Sequence, residues 1–140
     1  MSEVEYNSGN YDKYNSKNPL KRWMVKRLNA KILTFLNDYI KTAGVPENRE
    51  IRVLDAGCGE GFISNLIYNN IKNVEVVGLE YTSEALQVAR ELNENITYIQ
   101  GDIYRMPFEA GSFDLVLCTD VLEHLTDPEK AVGELLRVSK

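Results

Sequence analysis

Three glycines at alternate positions, Gly57, Gly59 and Gly61, follow a carboxylate in the run Val53-Leu54-Asp55-Ala56-Gly57-Cys58-Gly59-Glu60-Gly61-Phe62. Glycine permits a sharp turn and lets a ligand approach the backbone without meeting a Cβ. The spacing is GxGxG, not the GxGxxG of dinucleotide loops, and Asp55 stands where it would repel a pyrophosphate. A ligand bearing an ammonium group would be welcomed instead. A plain strand-to-helix turn needs similar glycines, so the acids that follow carry the distinction. Glu80 lies 19 residues after Gly61, which sets a carboxylate to accept both hydrogen bonds of a ribose diol. Tyr81 beside it is suited to lie against a planar base. Gly101-Asp102-Ile103 offers a carboxylate for an exocyclic amine and a backbone N–H for a ring nitrogen; a loop or cap residue is the other reading of Asp102. Asp120-Val121-Leu122-Glu123-His124 contains the only histidine, a group able to act as a general base near neutral pH.

These residues need elements to hold them. Asn18 can cap a helix with Pro19 at its first position. Leu20, Trp23, Met24, Leu28, Ile32, Phe35, Leu36, Tyr39 and Ile40 then recur at helical spacing, and Gly44 with Pro46 forms a stop signal. This predicts one amphipathic helix over 18–44, with Trp23 as part of its packed face. Residues 1–17 read as a flexible, tyrosine-rich arm. Beyond residue 50 strands and helices alternate: strands at 51–55, 74–79, 96–100 and 113–119, helices at 61–70 and from Thr82 or Ser83 to about Leu92, and a last helix opened by Asp127-Pro128. Strands apolar on both faces and separated by helices predict an α/β fold, a mostly parallel sheet between helical layers. Its ligand crevice belongs beyond the carboxyl ends of the strands, where every candidate residue named above falls. The chain is thus expected to comprise an arm over 1–17 and a single domain over 18–140.

Charge is unevenly spread. Residues 1–50 carry nine Lys/Arg against six Asp/Glu, and residues 51–140 carry seven against fifteen. The acidic part disfavours sequence-independent nucleic-acid binding. The basic run Lys17, Lys21, Arg22, Lys26, Arg27, Lys31 reads as a solvated helix face, or as a patch drawing an anionic substrate or partner. No apolar stretch reaches the roughly 18 residues of a membrane span, and the polar N-terminus is not a secretory signal. Cys58 and Cys118 form no CxxC pair, so a zinc site or disulfide framework is not expected and a cytoplasmic setting fits.

Taken together, VLDAGCGEGF, GLE, GDIYRMPF and FDLVLCTDVLEHLTDP resemble the ordered motifs of class I S-adenosylmethionine-dependent methyltransferases, most closely the broad type 11 group. The resemblance covers residues 50–140 and, loosely, the N-terminal helix. It implies a Rossmann-like α/β/α sandwich with strand order 3-2-1-4, S-adenosyl-L-methionine as cofactor, S-adenosyl-L-homocysteine as product, and an unidentified methyl acceptor. It implies that Asp55, Gly57 and Gly59, with Cys58 between them, hold the methionine part. Glu80 would bind the ribose, Tyr81 the adenine face, Asp102 and Ile103 the adenine edge. Thr119 would offer its carbonyl to the ammonium. Tyr11, Tyr14 or Arg22 would cover the cofactor, Arg22 by pairing with its carboxylate.

The 120–124 segment remains open to several readings. His124 can be a base, with Asp120 beginning the substrate-facing loop. Asp120, Glu123 and His124 also resemble the acid-x-x-Glu-His pattern of ubiquinone-pathway O-methyltransferases, where a divalent ion would orient an acceptor oxygen; Asp120 replaces a longer Glu there. The third reading is a family signature that shapes the loop. Relatives continue beyond this last helix into three more strands, so the chain reads as C-terminally truncated. The fourth strand is then expected to be an apolar edge, prone to self-association or cover by another segment. Cofactor binding is expected to survive truncation more readily than turnover, which leaves a non-catalytic binding module as the alternative function. A nicotinamide-dependent oxidoreductase is disfavoured by the GxGxG loop and Asp55.

Overall fold

Val53, Leu54, Val76, Val77 and Leu79 are all buried, and strands with apolar side chains on both faces must be covered on both sides. The computed structural model describes residues 9–46 and 48–140 and shows that cover. Strands β1 (Ile51–Ala56), β2 (Val74–Glu80), β3 (Thr97–Gln100) and β4 (Leu115–Leu117) form one sheet in the order β3-β2-β1-β4. All neighbours are parallel. The strand order and the Rossmann-like α/β/α layering are as the sequence predicts.

Side chains alternate across the sheet with period two. Leu54, Ala56, Val77 and Leu79 point to one face and form a core with Met106, Phe113 and Val138. Phe108 meets Phe113 edge to face, with ring centroids 4.9 Å apart. On the other face Asp55 reaches Ser64 and Gly78 lies against the Tyr98 ring. Helices α3 (Phe62–Asn70) and α4 (Ser83–Leu92) cover that face, burying Ile63, Ile67, Leu86 and Ala89. Helix α5 (Pro128–Val138) begins with Asp127 accepting from the Lys130 N–H and Pro128 in the first turn.

The fourth strand is shorter than the predicted 113–119. At its carboxyl end the chain leaving β1 bends toward β2, with Gly57 N and Cys58 N both donating to Leu79 O. Cys118 and Thr119 therefore lie outside the ladder. At its amino end Phe113 forms a parallel bridge with Ser139, and its N–H donates to Val138 O. The segment 138–140 thus covers the start of this edge. The same amino end of the sheet carries an ion-pair group: Asp114 pairs with Arg49 and Lys140, and Arg52 pairs with Glu75 at 2.6 Å while its guanidinium lies over the Phe113 ring.

The chain divides into two compact units, residues 1–45 and 46–140. In the first unit Gly9–Asn15 forms a helix, α1, where the sequence predicts a flexible arm; residues 1–8 of that arm lie outside the described residues. Helix α2 (Pro19–Thr42) is capped as expected, Asn18 accepting from the N–H groups of Leu20 and Lys21. Its packed face is narrower than the periodicity suggests. Val25 and Leu36 are its buried residues, and Trp23, expected to be packed, is 55% exposed with Arg27 over its ring. Trp23 sits two residues before Val25, about 200° around the helix, and so turns away from the buried stripe. Among the described residues no helix is long and apolar enough to cross a membrane.

Two glycines test this packing. A Cβ on Gly78 would lie 2.5 Å from the Tyr98 ring and 2.8 Å from Cys58 Sγ, so Gly78→Ala is expected to lower stability by about 1–3 kcal/mol. A Cβ on Gly133, inside α5, would meet nothing within 4 Å, and Gly133→Ala is expected to raise stability by about 0.5–1 kcal/mol through helix propensity. Urea denaturation of both variants measures the contrast.

Candidate functional site

Register brings the candidate residues to one end of the sheet. Ala56 is level with Leu79, Glu80 with Gln100, and Leu117 with Asp55. The glycine loop, Glu80, Gly101 and the segment after β4 therefore emerge together. Gly57, Gly59 and Gly61 have φ of 77°, 53° and 77°, a region that side chains with a Cβ seldom adopt. A Cβ at Gly57 would also strike Val121 at 2.5 Å, and one at Gly61 would strike the Tyr98 hydroxyl at 2.5 Å. The loop is thus constrained by packing from above and below as well as by its turns.

Glu80 locks the loop to β2. Its Oε2 accepts from Gly59 N at 3.1 Å and its Oε1 from Thr82 N at 2.9 Å. A carboxylate has about four lone-pair sites, so both oxygens keep acceptor capacity. Asp102 is arranged in a similar way. Its Oδ1 accepts from Tyr104 N at 2.8 Å, and its side chain is exposed. A pocket of about 440 Å³ opens between them, lined by Gly57, Leu79, Glu80, Tyr81, Gly101, Asp102, Ile103, Tyr104, Val121 and Leu125. This volume falls within the range for small-molecule and cofactor sites, about 300–1,000 Å³. Its walls are aliphatic and aromatic, and among the described lining residues the charged side chains are two carboxylates, with no lysine or arginine.

The pocket gathers five of the predicted residues, Gly57, Glu80, Tyr81, Asp102 and Ile103. Gly101, which opens the Asp102 motif, lines it too. Sequence reasoning missed Leu79, Tyr104, Val121 and Leu125. Tyr104 follows the Asp102 motif, and that adjacency was the available signal; Val121 and Leu125 enter from a loop whose apolar residues carry no chemical signature. Cys58 is buried beneath the loop. Burial pushes its thiol far above the usual range, and the nearby acidic side chains of Asp55 and Glu80 add to this, so it is a neutral packing group in this structure. Thr119 lies just past β4, and its Oγ1 is buried without a hydrogen-bond partner among the described residues.

The segment after β4 does not assemble a metal centre. Among the described residues no three His, Cys, Asp or Glu side chains stand together so as to hold a metal ion, and Asp120, Glu123 and His124 are all exposed. The short 3₁₀ turn Leu122–His124 spreads them. Asp120 has a φ of 55°, a conformation aspartate tolerates better than most residues, and through it the chain reverses so that Val121 packs on Gly57.

A family model described as a methyltransferase domain matches residues 47–140. The chain belongs to this methyltransferase-domain family. The chain is 34% identical over 118 residues to an uncharacterized methyltransferase of Schizosaccharomyces pombe, a match covering 76% of this chain and 40% of that protein. It is 37% identical over 94 residues to a ubiquinone biosynthesis O-methyltransferase of Erwinia tasmaniensis, covering 64% of this chain and 38% of that protein. The crystal structure of the YcgJ protein of Bacillus subtilis is similar with a TM-score of 0.62 at 35% identity, over 77% of this chain and 45% of that one. The chain spans about 40% of the length of the curated relatives it matches. Methyltransferase domains of this fold imply S-adenosylmethionine as methyl donor, and the pocket fits such a group: carboxylates for a ribose and an adenine amine, apolar walls, and no cation suited to a phosphate.

Asp55 in this methyltransferase domain is placed differently from the glycines that follow it. It is 2% exposed, is not among the pocket-lining residues, and accepts from the Ser64 hydroxyl at 2.6 Å. Burial pushes its carboxyl up from 3.8 to about 6; the Ser64 hydrogen bonds oppose the rise and the Glu80 charge adds to it. A raised acid is protonated more readily in the folded than in the unfolded chain. Its contribution to stability is therefore fully present below pH 3.8 and is lost as the pH rises through about 6. The loss amounts to about 3 kcal/mol. Between pH 4 and 7 the wild type is expected to lose about that much stability relative to Asp55→Asn, which cannot titrate but can still accept from Ser64. Paired denaturation curves across that range provide the measurement, and a constant difference would contradict the burial of a titrating carboxyl.

Proposed function

We propose that this domain binds S-adenosylmethionine in the 440 Å³ pocket and passes its methyl group to an acceptor, as the family does. The observation that carries the reading is the Glu80 carboxylate. It is held by Gly59 N and Thr82 N and still opens on the pocket with acceptor capacity for a diol. Asp102 and the Ile103 N–H are suited to an adenine edge. The loop at Gly57 and Gly59 and the end of β4 at Thr119 are suited to the amino-acid part, where the negative side chains below favour an ammonium group.

When bound, S-adenosylmethionine supplies a methyl group on a sulfonium centre that is already a good leaving group, with S-adenosylhomocysteine as product. The residues of this chain have to align and to exclude water. Leu79, Ile103, Val121 and Leu125 provide apolar walls, and Glu80 and Asp102 fix orientation. His124 is exposed on the 3₁₀ turn, where it is available to take a proton from an acceptor. The named activity of one relative, O-methyl transfer in ubiquinone biosynthesis, supports an oxygen acceptor as the first class to screen. The basic run on α2 suits an anionic acceptor or partner.

Calorimetry tests the cofactor site without the acceptor. Saturable binding of S-adenosylhomocysteine is expected, with no binding of NAD. Glu80→Gln removes a charged acceptor and is expected to weaken binding by about 10- to 100-fold, equivalent to about 1.5–3 kcal/mol, while the variant keeps its fold by circular dichroism. Unchanged affinity in that variant, or binding of NAD in the same pocket, would overturn the reading.

A further inference from the structure

The pocket is walled by two loops that no strand pairing holds together. One follows β3 and supplies Gly101, Asp102, Ile103 and Tyr104; the other follows β4 and supplies Val121 and Leu125. In the order β3-β2-β1-β4 these strands are the outermost two. Their loops still meet above the sheet, and the contact is made by a phenol. Tyr104 Oη lies 3.3 Å from Thr126 Oγ1 and accepts from Asp127 N at 3.2 Å. Lys130 Nζ stands over the Tyr104 ring, 5.5 Å from its centroid. Both hydrogen bonds and the cation contact thus tie Tyr104 to the start of α5. The Tyr104 backbone is fixed from the other side, since its N–H donates to Asp102 Oδ1.

We propose that Tyr104 is a positioning residue that fastens the 121–127 loop over the pocket and so couples cofactor binding on the β3 side to the order of the acceptor-facing loop on the β4 side. The proposal rests on the reading of this pocket as the cofactor seat. Its physical basis is the geometry of the latch. Among the described residues the backbone bonds of the 3₁₀ turn are short-range, His124 N to Val121 O and Leu125 N to Leu122 O, and such a turn orders poorly without an external anchor. Tyr104 provides one at the next two residues. A ligand resting against Tyr104, Val121 and Leu125 together favours the latched state. By linkage, the latched state favours the ligand to the same degree.

Tyr104→Phe keeps the ring and deletes both hydrogen bonds. With S-adenosylhomocysteine as the probe, calorimetry and amide hydrogen exchange are read on the full chain. In the wild type the ligand is expected to slow exchange at Gly101 and also at His124 and Leu125. In Tyr104→Phe the dissociation constant is expected to rise at least about fivefold, the lower end of a typical coupling. At saturating ligand the slowing at Gly101 is expected to persist while that at His124 and Leu125 is lost. Thr126→Val removes one partner and leaves Tyr104 intact; it is expected to give the same pattern in smaller measure and serves where Tyr104→Phe does not fold. Ligand-induced slowing at His124 and Leu125 retained in the variants, or affinity within twofold of wild type in Tyr104→Phe, would overturn the coupling and leave the site standing. Failure of the wild-type chain to bind S-adenosylhomocysteine would overturn the site reading and this proposal with it.

Discussion

The geometry of the site depends on one backbone interaction. The Leu79 carbonyl accepts from both Gly57 N at 2.7 Å and Cys58 N at 3.0 Å, which draws the chain leaving β1 across the end of β2. That bend opens the space beyond β4, brings Gly59 N to Glu80, and aims the start of α3 so that Ser64 reaches Asp55. It requires left-handed backbone at three glycines, and Val121 and Tyr98 press on two of them from opposite sides. Loop, strand end and post-β4 segment form one mutually constrained unit.

This arrangement carries energetic costs that a plain turn would not. Beneath the loop lie a carboxyl raised by burial, a thiol raised further, and a buried Tyr98 hydroxyl that makes no well-formed hydrogen bond among the described residues. The carboxyl at neutral pH and the phenol oppose folding, since burial of polar groups without full compensation is unfavourable, whereas the thiol is neutral in the folded and unfolded chain alike. Such costs persist where the surrounding packing over-determines them, commonly at functional sites. Here the surrounding packing is the apolar cover on both sheet faces. The Glu134–Arg137 pair on α5 adds support away from the pocket: Arg137 donates to Phe108 O and Met106 O, and Glu134 accepts from Met106 N. It binds the connection after β3 to the last helix.

Much of the framework was legible in the residues. The apolar strands, the capping Asn18 and Asp127, and the glycine spacing are local signals, and each produced the element it predicts. Glu80 was legible because a strand that ends on an acid carries its side chain to the rim, and Asp102 because it stands two residues past the end of the next strand. Asp55 was legible as a special residue but not in its placement. Strand alternation sends it to the α3 face, beneath the loop, and Ser64 in the second half of the first helical turn was the clue to its partner. Tyr104, Val121 and Leu125 were hidden because they converge only when loops from the two outer strands meet, a non-local event with no sequence period. Trp23 misled because helical spacing marks a stripe without saying how wide the buried part is. The helix at Gly9–Asn15 was hidden in polar residues with no apolar repeat.

The distribution of ionic groups along the strands has a kinetic consequence. At the amino ends Arg49, Arg52 and Lys140 are matched by Asp114 and Glu75. At the carboxyl ends Glu80 and Asp102 face the pocket with no basic side chain among its lining residues, and Asp120 and Glu123 stand exposed on the adjoining loop. At one end of the sheet the acids are paired with bases, and at the other the pocket lining carries two carboxylates and no basic side chain among the described residues. A small cation diffusing near the protein is steered toward the second end before any contact forms, and dissolved salt shortens the reach of that attraction to about 8 Å at physiological ionic strength. The rate of encounter with a positively charged ligand therefore falls as salt is added, whereas that of a neutral analogue of the same shape does not.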